Sequence, residues 1–258
     1  MPQDHKFSIN KYEVKFFLKI NKVLDTMNNL EGCVKDAFKI SNDDFERIDI
    51  QFIDTKEHDN YKNGWILRNR KKENKDYYEL TYKKRYTVDG DIDTTLQQVQ
   101  FDGFTSDKFE VQIDWELKKQ KISVSPKEKI EISEDQITIS NSNLPDITEL
   151  HRIFLLNAPE IFLSWQGENW GENQIQDSKI YGPVYAKKYT GKWENTEVNL
   201  EIWTLEDEPE SIIEISFKSK DKNEAHQLRN KLKELLSARK WLSKKDISKT
   251  KWVMEHSK

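Results

Sequence analysis

The chain has 258 residues and carries 42 Lys and Arg against 46 Asp and Glu, a net charge of −4 with the two signs interspersed, which excludes the broad basic footprint expected of a duplex nucleic acid or anionic membrane partner. Charged residues make up 34% of it, above the roughly 25% of an ordinary globular domain, yet 12 Phe, 9 Tyr and 8 Trp exclude a disordered polyelectrolyte. No apolar run reaches the ~18 residues of a membrane span and the N-terminus lacks the apolar core of a secretory signal, so a cytoplasmic protein is expected; a single Cys33 and 5 scattered His exclude a disulfide framework and the ligand spacing of structural zinc.

Lys11–Leu18 begins by alternating polar and apolar side chains, which predicts a strand with one dry face and a wet face carrying Lys11, Glu13 and Lys15. Val23, Leu24, Met27, Leu30, Val34 and Phe38 then recur at helical spacing over 21–39, with Gly32 as a candidate break. Ile48–Asp54 alternates again. Trp65–Arg70 and Tyr77–Lys83, separated by the polar stretch Glu73–Asp76, predict a hairpin. Further strands are expected over Phe109–Leu117, Ile130–Ile132, Gln136–Ile139, Val184–Tyr189, Glu197–Leu205 and Ser211–Lys218. Asp146–Leu156 reads as a short helix and Gly167–Gly182 as an irregular loop. Glu224–Leu242 reads as a long amphipathic helix on Ala225, Leu228, Leu232, Leu235, Leu236 and Leu242. No internal repeat and no linker-like stretch interrupts the chain, which favours a single domain.

The unusual feature is charge in phase along the strands. Glu13 and Lys15, Arg68 and Arg70, Glu79 and Lys83, Glu110 and Asp114, Glu197 and Glu201, and Glu214 and Lys218 each project from one face of their strand. For any one strand, a solvated face is sufficient explanation. Repeated over several strands that close on themselves, the same faces surround a lumen, where the charges coexist only by pairing, hydration or ligand binding. A lumen of that kind fits a polyanion with a hard divalent cation: Arg and Lys meet phosphate oxygens, and carboxylates hold Mg²⁺ or Mn²⁺.

Several of these residues lie in short motifs. Glu13-Val14-Lys15-Phe16 resembles the second half of the E-x-E-x-K signature of the CYTH superfamily, the triphosphate tunnel metalloenzymes. Phe52-Ile53-Asp54-Thr55 is similar to that family's aromatic-x-Asp-Thr segment, Leu67-Arg68-Asn69-Arg70 to its L-R-x-R, and Leu80-Thr81-Tyr82-Lys83 to its L-T-x-K. Ala186-Lys187-Lys188-Tyr189 resembles its later basic strand, Leu200-Glu201 and Glu214-Ile215-Ser216-Phe217 its acidic strands, and Ser248-Lys249-Thr250 its C-terminal S-K-T. Each motif is short, and the specificity lies in their order from about residue 11 to 250.

The resemblance implies an α+β fold built on a closed eight-stranded antiparallel β-barrel, the triphosphate tunnel, with flanking helices. The domain would span residues 8–254 with an insertion at about 117–181. It implies that Lys15, Arg68, Arg70, Lys83 and Lys187, with Lys188 as the alternative to the last, contact phosphate oxygens. Glu13, Glu110, Glu201 and Glu214 would ligate Mg²⁺ or Mn²⁺, with Asp114 a further candidate. Glu13, Lys15, Arg68 and Arg70 form the expected catalytic set, while Asp54 is expected to fix a turn or orient an arginine. Trp165, Trp170 and Tyr181 in the insertion would either stack on a base or cover the barrel end.

Two positions depart from the family pattern: Lys11 stands at the first Glu of E-x-E-x-K, and Ser216 at the second Glu of the later acidic pair. Each removes an oxygen ligand from a site that depends on carboxylates for a hard metal; Glu197 or Glu110 would have to compensate. The leading expectation is metal-dependent hydrolysis of a triphosphate, either inorganic tripolyphosphate, thiamine triphosphate or a nucleoside triphosphate. The rival, from a different class, is a non-catalytic nucleotide- or polyphosphate-binding tunnel. Adenylate cyclisation ranks lower, because His5-Lys6-Phe7 is only a loose echo of the His-Phe signature expected ahead of the first strand. An RNA 5′ end, suggested by Lys83-Lys84-Arg85-Tyr86, also ranks lower in an acidic chain.

Overall fold

The computed structural model describes residues 8–41, 44–139, 144–206 and 210–257. Its strands are β1 (Lys11–Phe17), β2 (Glu46–Thr55), β3 (Trp65–Lys72), β4 (Tyr77–Thr87), β5 (Phe109–Trp115), β6 (Gln120–Pro126), β7 (Ile130–Ser133), β8 (Ser178–Trp193), β9 (Thr196–Leu205) and β10 (Ile212–Ser219). The helices are α1 (Ile20–Val23), α2 (Gly32–Ala37), α3 (Asp59–Lys62), α4 (Ile92–Phe101), α5 (Ile147–Leu156), α6 (Glu160–Leu163), α7 (Trp170–Gln176), α8 (Lys222–Ala238) and α9 (Lys249–His256).

The strands run in the order β3-β2-β8-β9-β10-β1-β5-β6-β4, and β4 pairs back onto β3, closing a nine-stranded barrel. β7 lies outside the ring and pairs with the half of β4 that β6 leaves uncovered. The expected eight antiparallel strands are corrected on both counts. The ring has nine members, and β1 and β5 run parallel, with Lys11 beside Gln112 and Glu13 beside Asp114. The ninth member, β6, lies inside the stretch expected to be an insertion.

The barrel is turned inside out relative to a packed one. Along β1, Tyr12, Val14 and Phe16 are buried on the outer face, while Lys11, Glu13 and Lys15 face the lumen half-buried. The outer face packs under α8, whose Ala225, Leu228, Leu232 and Leu236 join Val14 and Phe16 in the larger hydrophobic core. The amphipathic stripe of α8 therefore covers a strand instead of filling a barrel. Asp221 caps that helix by accepting from the Glu224 amide at 2.7 Å.

The lumen itself changes character along its length. Going down the strands, Lys15 is followed by Phe17, Glu201 by Trp203 and Leu205, and Arg68 is preceded by Ile66; all these are in phase, two residues apart. Phe17, Ile50, Phe52, Ile66, Val184, Trp203 and Leu205 form a second buried cluster with Trp252, Val253 and Met254 of α9. The C-terminal helix thus plugs the apolar end and leaves the charged half as the cavity.

Several local expectations change. The helix expected over 21–39 is broken into α1 and α2, because Asp25 accepts from the amides of Met27 (2.8 Å) and Asn29 (2.9 Å) and holds a turn between them. The strand expected over Gln136–Ile139 is instead the end of a 3₁₀ turn at Glu134–Gln136 and irregular chain. The loop expected over Gly167–Gly182 contains α7 and the start of β8. His5-Lys6-Phe7 lies outside the described residues. Among the described residues no helix is long and apolar enough to cross a membrane.

Candidate functional site

The charged half of the lumen is a cavity of about 430 Å³ lined by eleven Lys or Arg and six Glu side chains. The cationic excess is local, since the chain as a whole carries −4. Of the expected site residues, Glu13, Lys15, Arg68, Arg70, Lys83, Lys188, Glu110, Glu201 and Glu214 all line this cavity. Asp114 lies fully buried against the same wall, reached by the Lys15 ammonium at 3.3 Å. Lys187 is not brought in. It faces outward, where its ammonium donates to Asn29 Oδ1 at 2.8 Å and sits over the Phe45 ring.

The β1–β5 wall is tightly compensated. Glu13 accepts from Lys15 at 3.0 Å and from Gln112 Nε2 at 2.8 Å. Asp114 accepts from Ser123 Oγ at 2.7 Å and from Gln112 Nε2 at 2.5 Å. Against the cost of burial, Lys15 holds Asp114 well below the usual carboxylate range, and Asp114 and Glu13 raise the Lys15 ammonium. At the mouth, Lys11 donates to Glu110 at 2.7 Å, so the cation at the start of β1 neutralises an acid of β5.

The β9–β10 wall carries the acidic pair. Antiparallel register sets Glu201 directly opposite Glu214, and Ser216 opposite Asn199 and Lys15. Lys249, the first residue of α9, reaches between the two carboxylates at 2.7 and 2.9 Å. Despite burial, Lys249 and the Trp203 indole hold the Glu201 carboxyl down to about 2. Glu197 is exposed and away from the cavity.

The β3–β4 wall is different. Arg70 pairs with Glu79 at 2.6 Å, and Lys72 reaches the same carboxylate at 3.2 Å. Between them and the floor sit Arg68 and Lys83, for which no carboxylate lies within ion-pair distance among the described residues. The Arg68 guanidinium makes one long contact, to Thr81 Oγ1 at 3.3 Å, and its buried Nε has no partner among the described residues. Burial, with Arg70 alongside, pushes Arg68 down to about 9, which leaves it charged at neutral pH. Burial also pushes Lys83 down to about 7, against the pull of Asp114.

Whether the acids fit a hard metal follows from the same distances. Among the described residues no three carboxylates, histidines or thiolates converge, whereas a hard divalent ion is held by several oxygens at once. Glu13, Glu201 and Glu214 each already face a lysine ammonium, and the position that would bring a further acid beside them is Ser216. As arranged, the donor set does not fit the ion.

Sequence reading did not single out Lys72, Arg85, Lys129, Lys218 or Lys249 as site residues, although all five line the cavity. Arg85 was visible in its phase with Glu79 and Lys83; its neighbour Lys84 points the other way, between the rings of Trp165 and Tyr86. Trp165 and Trp170 pack outside the barrel against Trp65 and Phe162, and Tyr181 is buried with its hydroxyl donating to the Thr55 carbonyl at 2.9 Å. Asp54 fixes a turn: it accepts from the amides of Thr55, Asn60 and Tyr61 at 2.8–2.9 Å, tying the end of β2 to α3.

No protein-family model and no curated protein matches the chain. Two solved structures are similar over nearly its whole length. One is HpAC1 from Hippeastrum, described as an adenylyl cyclase candidate with a dominant triphosphatase activity. It is 12% identical, with 95% of this chain and 96% of that chain covered and a TM-score of 0.54. The other is an adenylate cyclase candidate from Bacillus halodurans, also 12% identical, with 95% and 98% covered and a TM-score of 0.54. The barrel has the fold of both. At that identity the likeness is one of fold.

Proposed function

We propose that the charged half of the lumen binds the triphosphate moiety of a small molecule and that the reaction it supports is hydrolysis of that triphosphate. The observation that carries the reading is the pair Arg68 and Lys83: two partly buried cations with no carboxylate within ion-pair distance among the described residues, in a cavity with eleven cationic and six acidic side chains. Buried charge is retained only when something pairs it, and phosphate oxygens match both the guanidinium fork and the ammonium. Arg70, Lys72 and Lys188 would extend the contact towards the mouth. The triphosphatase activity described for HpAC1 supports the same chemistry here.

Such a reaction needs positioning and charge more than a nucleophilic side chain. Arg68, Lys83 and Arg85 would hold and neutralise the phosphoryl oxygens while water attacks in line, and the cavity wall supplies no Cys or His among its lining residues. Glu13 would orient that water, since Lys15 and Gln112 both meet its Oε2 and leave Oε1 with only Lys218 at 3.6 Å. A second reading, binding without turnover, is favoured by the ammonium already lodged between Glu201 and Glu214.

The test is a panel of tripolyphosphate, thiamine triphosphate, ATP and GTP, each with Mg²⁺, Mn²⁺ or chelator, followed for phosphate and cyclic-nucleotide release and for melting temperature. Turnover of one compound names the substrate. Stabilisation without product supports the binding reading, and cyclic nucleotide from ATP would transfer the protein to cyclases. Arg68→Met is expected to weaken tripolyphosphate binding roughly 10- to 100-fold, the loss of one or two charge-assisted hydrogen bonds. No melting shift with any compound sinks the assignment.

A further inference from the structure

Lys249 occupies an unusual position. It is the first residue of α9, capped by Ser248, and so belongs to the helix that plugs the apolar end of the lumen. Its side chain leaves that plug and enters the charged half. There the ammonium lies 2.7 Å from Glu201 Oε2, 2.9 Å from Glu214 Oε1 and 4.3 Å from the centre of the Trp203 ring. Glu201 Oε2 takes a further hydrogen bond from the Trp203 indole at 3.0 Å.

Two acids directly opposite each other on antiparallel strands repel unless a cation bridges them. Here the bridge is part of the chain. An ammonium on a short tether, anchored by a buried helix, competes with free ions at an effective concentration in the ~mM range or above. A divalent ion entering between Glu201 and Glu214 would have to displace an ammonium that both carboxylates and the Trp203 ring already hold, and breaking a partly buried ion pair of this kind is costly. The neighbouring position that would offer a third oxygen ligand is Ser216, facing Lys15.

We propose that Lys249 is a built-in cation that takes the place of a divalent metal between Glu201 and Glu214, so that the cavity holds its anion without a metal. The occupation of the acidic pair stands on the geometry alone; metal-free anion binding rests in addition on the triphosphate reading above. The cation that balances the acids is then a fixed part of the fold, and phosphate binding becomes independent of free Mg²⁺.

The experiment titrates Mn²⁺ alone into the full-length protein and follows free Mn²⁺ by electron paramagnetic resonance. Wild type is expected to show no site tighter than about 1 mM, and Lys249→Met, which keeps length and packing on Trp203, to bind Mn²⁺ at least about tenfold more tightly; Lys249→Arg should behave as wild type. A wild-type site with Kd below about 0.1 mM overturns the proposal whether or not the variants fold. So does a Lys249→Met protein with native circular dichroism and no gain. Calorimetry with tripolyphosphate in chelator separates the two readings. Binding that requires added Mn²⁺ overturns metal independence, whereas no binding with or without Mn²⁺ sinks the triphosphate reading and leaves Lys249 to the manganese result.

Discussion

The two halves of the lumen are built by the same strands and do opposite things. In the lower half, Phe17, Ile66, Val184 and Leu205 meet Trp252, Val253 and Met254 of α9 and exclude water. In the upper half, two or four residues away on the same strands, Lys15, Arg68, Lys188 and Glu201 crowd charges together. A charged site resting on an apolar floor differs from one open at both ends, because fewer waters screen it and each ion pair counts for more. The plug is therefore part of the electrostatics. The walls differ too: β1–β5 and β9–β10 have balanced their charges, while β3–β4 has not.

Removing the floor is the largest break. Trp252→Ala takes a buried indole out of the plug and is expected to destabilise the protein by about 3–5 kcal/mol in urea denaturation. If α9 were merely draped on the barrel, the loss would be below about 1 kcal/mol.

A pH experiment sharpens the contrast between the walls. Lys83 is pushed down to about 7 from its ordinary 10.5 by burial, so the folded protein lacks a proton that the unfolded chain holds between those values. Stability from this group therefore rises as pH climbs from about 7 to 10.5, and its cost is fully present below 7. Bound triphosphate favours the ammonium. Binding above pH 7 should take up roughly one proton, read from calorimetry in buffers of different ionisation enthalpy, and affinity should fall as pH rises. Proton release, or no exchange, would show that Lys83 does not meet the anion.

The smallest effect compares neighbours on β8. Lys188→Ala should weaken tripolyphosphate binding about fivefold, in line with one partly solvated ion pair, whereas Lys187→Ala should leave it within about twofold because its side chain is on the outer face. Equal losses in both would show that the strand's phase is misassigned.

What could be read in the sequence follows a physical division. The hairpin of β3 and β4 was legible because alternation fixes which side chains share a face, and Arg68, Arg70 and Lys83 fell into one cavity as expected. In Ala186-Lys187-Lys188 both phases offer a lysine, so alternation alone could not choose between them; pairing with β2 and β9 does. The β2–β8 register shift between Ile50 and Phe52 adds a half-step that no single-strand pattern shows. The parallel contact of β1 with β5, and β6 as a ring member, depend on tertiary pairing and leave no local mark. Gln120–Pro126 was missed because its polar residues hide the buried Ile122 and Val124. α4 was missed because Leu96 and Val99 are the only residues it buries. Lys249 was noticed in Ser248-Lys249-Thr250 but given no place in the site, because it stands at the start of a short helix, far in sequence from the acids it joins.

Within the ring, β1 lies between β5 and β10 and pairs Tyr12 with Ser219. β1 therefore waits for the much later β10 before the barrel can shut, and loop-closure entropy of that size makes for slow folding. Lys249 is synthesised later still, so Glu201 and Glu214 can meet across β9 and β10 before their bridging cation arrives. A refolding experiment should accordingly show the barrel's acids burying last, with formation of the anion site coinciding with the docking of α9. During that interval the half-built lumen is a densely charged surface, which keeps an unclosed sheet from pairing with its neighbours while the chain is completed.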